Sequence, residues 1–107
     1  MSDDVKIEEE IIKLGLTAPR VSNDSIDLKI VDTQYHVFPD SYLTVCCLTL
    51  ENGFNVTGTS ACASPANFNK NIGEQIAFRN ARQEIWALEG YLLKERLHQI
   101  ELNQLGN

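Results

Sequence analysis

Residues 42–60, YLTVCCLTLENGFNVTGTS, decide the fold of this chain. Two runs within them, 42–50 and 54–60, are rich in β-branched and apolar residues and predict two strands. A third β-prone run, QYHVF at 34–38, precedes them across a turn at Pro39-Asp40-Ser41. The sequence therefore predicts an antiparallel hairpin or a three-stranded sheet over residues 34–60.

The connection between the two main strands is the strongest local signal. Asn52-Gly53 favours a two-residue type I′ turn, because both central positions of that turn need a positive φ. Such a turn would place Leu50 opposite Asn55 and set the register of the whole hairpin. Both faces would then mix apolar and small polar side chains, which predicts a sheet that is covered on both sides.

Residues 64–102 are predicted to be helical, in a short turn followed by one long helix from Ile72 to about Leu97 or beyond. Asn71, with Glu74 three residues later, is typical of a capping box at the start of that helix. Gly90 lies inside it, where a glycine costs about 1 kcal/mol relative to alanine. We therefore expect a close packing contact at this glycine.

The N-terminal third is predicted to contain short helices. Residues 1–7 are expected to be disordered and residues 8–14 to form a short helix. Residues 23–32 fit two structures: a helix that starts with Ser22 or Asn23 as its N-cap, which we favour, and a strand with alternating apolar residues. Together these elements predict an α+β fold in which the sheet packs against the long C-terminal helix, with short N-terminal helices.

The composition is typical of a small acidic protein of the cytoplasm. A length of 107 residues suits one domain over residues 1–107. The net charge of -6 weakens attraction to nucleic-acid backbones, so neither DNA nor RNA is expected as a partner. No apolar run approaches the roughly 20 residues that span a bilayer, so no membrane association is expected. Three cysteines without CxxC spacing, Cys46, Cys47 and Cys62, predict reduced thiols rather than disulfides or metal ligands.

The long helix has two distinctive faces. A rotation of about 100° per residue places one apolar stripe toward the core, formed by Ala77, Phe78, Ala81, Ile85, Leu88 and Leu92. The opposite face carries Trp86 beside Arg79 and Arg82, and tryptophan and arginine are enriched at interface hot spots. The alternative is that Trp86 packs against the N-terminal helices and that both arginines are solvated or paired with glutamates.

These arginines also suggest a ligand. Arg79 and Arg82 lie one turn apart, and two guanidinium groups can converge on one phosphate. Nearby aromatic rings would give a nucleobase a stacking surface. The candidate ligand-binding residues are Phe68, Gln75, Arg79, Asn80, Arg82 and Trp86. Because no GxSxG, HExxH, glycine-rich phosphate loop or Cys-His zinc set is present, we expect a binding protein rather than an enzyme, with no metal and no cofactor.

Several runs of this chain resemble a family of small proteins from tailed bacteriophages. The runs are Tyr35–Phe38, Leu43–Cys46, Leu50–Phe54, Ser60–Cys62, Phe68, Ile72-Gly73, Asn80–Arg82, Ile85-Trp86 and Leu88–Leu93. Most members of that family have no assigned function, and it includes or neighbours the Thoeris anti-defence sponges. One departure is Ala87, where many relatives have a proline, so this helix should be less kinked.

The resemblance implies a non-enzymatic binder that sequesters a nucleotide-derived immune signal, of the cyclic ADP-ribose type or a cyclic oligonucleotide. It also implies a symmetric homo-oligomer, of which a hexamer is the suggested form, that holds its ligands between protomers. The expected location is the cytoplasm of the infected host. In that reading Arg82 and Arg79 contact phosphate, and Phe68 or Trp86 contacts a base. Two rivals remain, a protein–protein inhibitor or adaptor of a host factor and an enzyme that acts on a small nucleotide.

Overall fold

The α+β fold predicted from the sequence is confirmed by a computed structural model that describes residues 3–15 and 18–106. The elements in chain order are α1 (Asp3–Lys13), α2 (Asn23–Lys29), β1 (Ile30–Phe38), β2 (Leu43–Leu50), β3 (Asn55–Ala61), a 3-10 turn (Pro65–Asn67) and α3 (Lys70–Leu105). The chain divides into two compact units. One contains residues 28–85, and the other contains residues up to Asp27 together with those from Trp86 onward.

The three strands form one antiparallel sheet in the order β1-β2-β3. The strands predicted at 34–38, 42–50 and 54–60 are confirmed to within a few residues. The first strand, however, starts earlier than predicted, at Ile30. An irregularity between Ile30 and Asp32 shifts its register against β2, which bends the start of the strand.

The predicted turn of the β2–β3 hairpin is wrong by one residue. The N–H of Leu50 donates to the carbonyl of Phe54 (2.8 Å), and the N–H of Gly53 donates back to the carbonyl of Leu50 (2.8 Å). The loop therefore has three residues, with only Gly53 at positive φ (+91°), as in hairpins that end on a glycine bulge. Thr49, not Leu50, lies opposite Asn55.

That shift changes the interpretation of the sheet, because side chains alternate between its faces. With the observed register, the buried residues Val56 and Gly58 of β3 lie opposite Leu48 and Cys46, on the same face of the sheet. Thr44, Cys46, Leu48 and Leu50 are buried on one face, while the residues between them are half-buried on the other. One face of the sheet therefore belongs to the core of the 28–85 unit.

The first part of α3 packs on the sheet at Gly58 of β3. A Cβ atom at this glycine would lie 2.1 Å from the backbone N of Ala81 and 2.4 Å from the backbone O of Ala77. Only a glycine allows two backbones to approach so closely. The buried stripe of α3 is formed by small residues and one isoleucine, Gly73, Ala77, Ala81 and Ile85.

This stripe corrects the predicted core face of the helix. Ala77, Ala81 and Ile85 are fully buried, as predicted, but Phe78 is only half-buried and Leu88 and Leu92 are exposed. The last two lie beyond residue 85, in the other unit. The apolar stripe therefore covers the sheet only over the first four turns of α3.

The start of α3 also differs from the predicted capping box. The side-chain Oδ1 of Asn69 accepts from the N–H of Ile72 (3.1 Å), so Asn69 caps a helix that begins at Lys70. Asn71 lies inside the first turn instead. The close contact expected at Gly90 is also wrong, because nothing lies within 4 Å of a Cβ built there.

In the other unit, one carboxylate ties α1 to the start of α2. Glu8 accepts from the backbone N–H of Asn23 (2.7 Å) and lies 3.5 Å from the guanidinium of Arg20. The bond from Asn23 and the charge of Arg20 lower the pKa of Glu8. Ser22, one of the two predicted N-caps, caps α2, because its Oγ accepts from the N–H of Ser25 (3.2 Å).

Two N-terminal predictions need correction. Residues 3–7 are helical rather than disordered, and the first two residues of that prediction lie outside the described ranges. The favoured helix over 23–32 is confirmed only to Lys29, because residues 30–32 pair with β2 instead. Backbone pairing with a neighbouring strand, which is not a local signal, decides this boundary.

None of the helices in the described ranges is both long and apolar enough to cross a membrane.

Candidate functional site

A cavity of about 110 Å³ lies between the sheet and the start of α3, within the 28–85 unit. We call it the Thr44 cavity. Its walls come from the β1–β2 connection, β2, the end of β3, the 3-10 turn and the first two turns of α3. The lining residues are Tyr42, Thr44, Ser60, Ala61, Cys62, Asn67, Phe68, Asn69, Ile72, Gly73 and Ile76.

Local backbone signals place Phe68 in the wall of this cavity. Pro65 starts a single 3-10 turn, which closes when the N–H of Phe68 donates to the carbonyl of Pro65 (3.2 Å). Phe68 itself is extended, and Asn69 then caps α3. The centroids of the Phe68 and Tyr42 rings lie 5.2 Å apart, with the rings tilted, at a distance that aromatic pairs prefer. The turn and this contact hold the ring at the start of the helix.

The partner ring comes from a strained connection. Asp40 and Tyr42 have φ values of +67° and +54°, a region that residues other than glycine rarely occupy. Each such residue costs on the order of 1 kcal/mol or more, and such strain is found at functional sites. Here the strained backbone brings Tyr42 into the lining of the Thr44 cavity.

The hydroxyl of Thr44 is the most unusual polar group of the cavity. Thr44 is fully buried, and its Oγ1 has no hydrogen-bond partner among the residues that the structure describes. A Cβ atom at Gly73 would lie 3.0 Å from this oxygen. Gly73 therefore lies directly against the hydroxyl on the helix side, and the burial of this hydroxyl without a bond is unfavourable.

A larger open groove of about 410 Å³ also has Phe68 in its lining. We call it the Phe68 groove. Its other lining residues are Tyr35, His36, Val37, Lys70 and Glu74. Phe68 is therefore shared by the groove and the cavity. The groove also has one cationic and one anionic side chain, both from α3.

One end of the groove has a perturbed phenol. Burial, followed by the neighbouring Cys46 and Glu74, raises the pKa of Tyr35. Burial also raises the pKa of the Cys46 thiol, which is hydrogen-bonded to Tyr35. Both groups are therefore neutral at physiological pH and act as hydrogen-bonding groups rather than as anions.

The structure separates the predicted ligand-binding residues. Phe68 lines both the cavity and the groove, whereas neither lining includes Gln75, Arg79, Asn80, Arg82 or Trp86. Gln75 and Arg79 are exposed on α3, and Arg82 is half-buried.

Two further candidates have different positions again. The side-chain Nδ2 of Asn80 donates to the backbone carbonyl of Thr59 (2.8 Å), which fastens α3 to β3. Trp86 is half-buried and belongs to the other unit. Of the two aromatic residues predicted to contact a base, Phe68 therefore lies in the 28–85 unit and Trp86 lies in the other.

Sequence reasoning missed most of the cavity. Thr44 and Gly73 belong to runs that carry the phage-family resemblance, but no role followed from those runs. Asn69 and the Ser64-Pro65 start of the turn were the available local signals for a built site around Phe68. Among residues 3–15 and 18–106, no group of three or more His, Cys, Asp or Glu side chains could hold a metal ion.

Comparison with known families gives the chain an identity. The model of the phage protein (N4 Gp49/phage Sf6 gene 66) family matches residues 21–97. This chain belongs to that family. The match covers the whole sheet, the Thr44 cavity and the Phe68 groove, and it confirms the phage-family part of the resemblance found in the sequence. No curated protein and no solved structure matches the chain.

Proposed function

We propose that this phage-family protein binds a nucleotide-derived immune signal in the cytoplasm of the infected bacterium and sequesters it without converting it. The signal is of the cyclic ADP-ribose type or a cyclic oligonucleotide. The observation that supports this most is that Phe68 lines both a cavity with several polar side chains and a groove that contains a lysine. Nucleotide sites combine these elements, because a base stacks on an aromatic ring while polar and cationic groups hold sugar and phosphate.

The size of the two spaces supports a ligand of this class. Sites for small molecules usually enclose about 300–1,000 Å³, and the groove of about 410 Å³ reaches that range while the Thr44 cavity of about 110 Å³ does not. A compound with a flat base and a smaller polar part would use both. Lys70, at the open end, would contact a phosphate.

Thermal shift tests this proposal with cyclic ADP-ribose isomers and cyclic oligonucleotides. A compound that binds the folded protein raises its unfolding temperature. We expect one compound of the panel to do so, and Phe68→Leu to remove the shift. Phe54→Leu is the matched control, since Phe54 is an exposed residue directly after the hairpin loop and lines neither space. A flat panel, or equal shifts in all three proteins, would contradict the proposal.

We also propose that the protein acts as a homo-oligomer, with a hexamer as the expected assembly. The supporting observation is that Gln75 and Arg79 are exposed on α3 and Arg82 is half-buried. These residues would complete the ligand site only if a second protomer supplied them. Phe68→Leu and Arg82→Ala should each abolish binding. An equal mixture of the two variants should restore about a quarter of the sites if each site takes one residue from each of two protomers. A mixture that stays inactive would show that the site lies within one chain.

A protein partner is the second candidate function, as an inhibitor or adaptor of a host factor. The outer face of the sheet favours it: Phe38 is 46% exposed there, and Val45 and Cys47 are half-buried. Apolar surface of this kind is typical of contact surfaces. Stoichiometric capture of one host protein that Val45→Lys abolishes, with no shift from any nucleotide, would favour this function over the first.

A further inference from the structure

We propose that the Thr44 cavity takes the ribose of the sequestered compound, and that its base lies in the Phe68 groove. This inference rests on the proposed function and assigns the sugar, rather than the phosphate, to the smaller of the two spaces. It starts from Thr44, whose fully buried hydroxyl has no partner among the described residues and lines the cavity. A buried hydroxyl gains most from a ligand that can both donate and accept hydrogen bonds.

The side chains of the cavity wall favour a neutral group over a phosphate. Its polar side chains are those of Tyr42, Thr44, Ser60, Asn67 and Asn69, and no described lining residue carries a charge. Burying a phosphate without a cation would be strongly unfavourable. The vicinal hydroxyls of a ribose are neutral. Each can donate and accept a hydrogen bond, which matches the hydroxyl and amide groups of the cavity wall.

The dimensions point the same way. A cavity of about 110 Å³ is far smaller than the roughly 300 Å³ at the lower end of small-molecule sites, so it admits one part of a nucleoside and not the whole. Gly73 lies in the same wall, where a Cβ would come within 3.0 Å of the Thr44 oxygen.

The neighbouring groove takes the remaining parts. Phe68 lines both spaces, so a base attached to a sugar in the cavity would lie beside the same ring in the groove. The Tyr42 ring packs against Phe68 at 5.2 Å and supports it in this orientation. Lys70 lies on the groove side, where a phosphate would remain outside the cavity.

Adenosine, 2′,3′-dideoxyadenosine and inorganic phosphate test the assignment by calorimetry and by the amide NMR signal of Gly73. Dideoxyadenosine should bind at least about tenfold more weakly than adenosine, because a site built for hydroxyls rejects the analogue that lacks them. Adenosine should move the Gly73 signal and phosphate should not. Thr44→Val should weaken adenosine by about tenfold, while Thr44→Ser, which keeps the hydroxyl, should bind as the wild type does. Near-UV circular dichroism of each variant shows whether it is folded.

Equal affinity for adenosine and dideoxyadenosine would overturn the inference, as would a Gly73 signal that responds to phosphate. Cyclic ADP-ribose that binds Thr44→Val and the wild type equally would also overturn it, yet it would leave the proposed function intact. If neither adenosine nor any compound of the nucleotide panel binds, both the inference and the proposed function are wrong.

Discussion

Gly58→Ala should disrupt the contact on which the 28–85 unit is built. The added Cβ would lie 2.1 Å from the N of Ala81, 2.4 Å from the O of Ala77 and 2.7 Å from the C of Asn80. Non-bonded carbon contacts are optimal at about 3.5–4.0 Å, so α3 would have to move by about 1 Å or more. All three atoms are backbone atoms and cannot rotate away. Overpacking usually costs 1–3 kcal/mol and sometimes more, and we expect a loss of at least about 3 kcal/mol.

Urea unfolding followed by circular dichroism measures this loss. In a domain of this size, about 3 kcal/mol corresponds to a decrease in melting temperature of roughly 12–24 °C. Gly90→Ala is the control, because a Cβ there meets nothing within 4 Å and should stabilise the helix by up to about 1 kcal/mol. A Gly58→Ala protein within about 0.5 kcal/mol of the wild type would refute the close approach of α3 to β3.

Three further substitutions test other parts of the structure. Glu8→Gln should destabilise the protein by about 1 kcal/mol at neutral pH. Because the folded state lowers the pKa of Glu8, this contribution to stability is lost as the pH falls through that lowered pKa. Urea unfolding curves of the two proteins should therefore converge in acid, and a constant difference between them would contradict the argument. Asn69→Ala should cost about 1 kcal/mol as a lost N-cap, and hydrogen exchange should increase at the N–H of Ile72, whereas unchanged exchange would argue against the cap. Leu48→Ala should cost about 2–5 kcal/mol in urea unfolding, since Leu48 is fully buried in the sheet, and a loss below 1 kcal/mol would mean that the inner face of β2 is not core.

The sequence predicted the fold where local signals agree with tertiary contacts. Runs of β-branched residues indicated the strands, and small and apolar residues that recur at helical spacing indicated α3. The register of the hairpin was wrong because Asn52-Gly53 also fits a three-residue loop in which only Gly53 needs a positive φ. Local propensity does not distinguish the two loops, whereas packing of Gly58 under α3 favours one.

The candidate site was less predictable for a related reason. Arg79, Arg82 and Trp86 stood out as residue types, but a cavity depends on which surfaces meet. Thr44 is an ordinary strand residue in the sequence, and its buried hydroxyl is apparent only when Gly73 is placed opposite it. Phe68 was identified as a stacking residue, and in the structure it contacts Tyr42 and lines the groove with Lys70, whereas neither lining includes the two arginines.

Equilibrium dialysis against cyclic ADP-ribose, followed by heat release and mass analysis, tests the claim of sequestration most directly. The account predicts that wild-type protein retains the compound, that heating releases it chemically unchanged, and that Phe68→Leu retains none while Phe54→Leu behaves as the wild type. Equal retention by both phenylalanine variants, or release of a converted product, would contradict it.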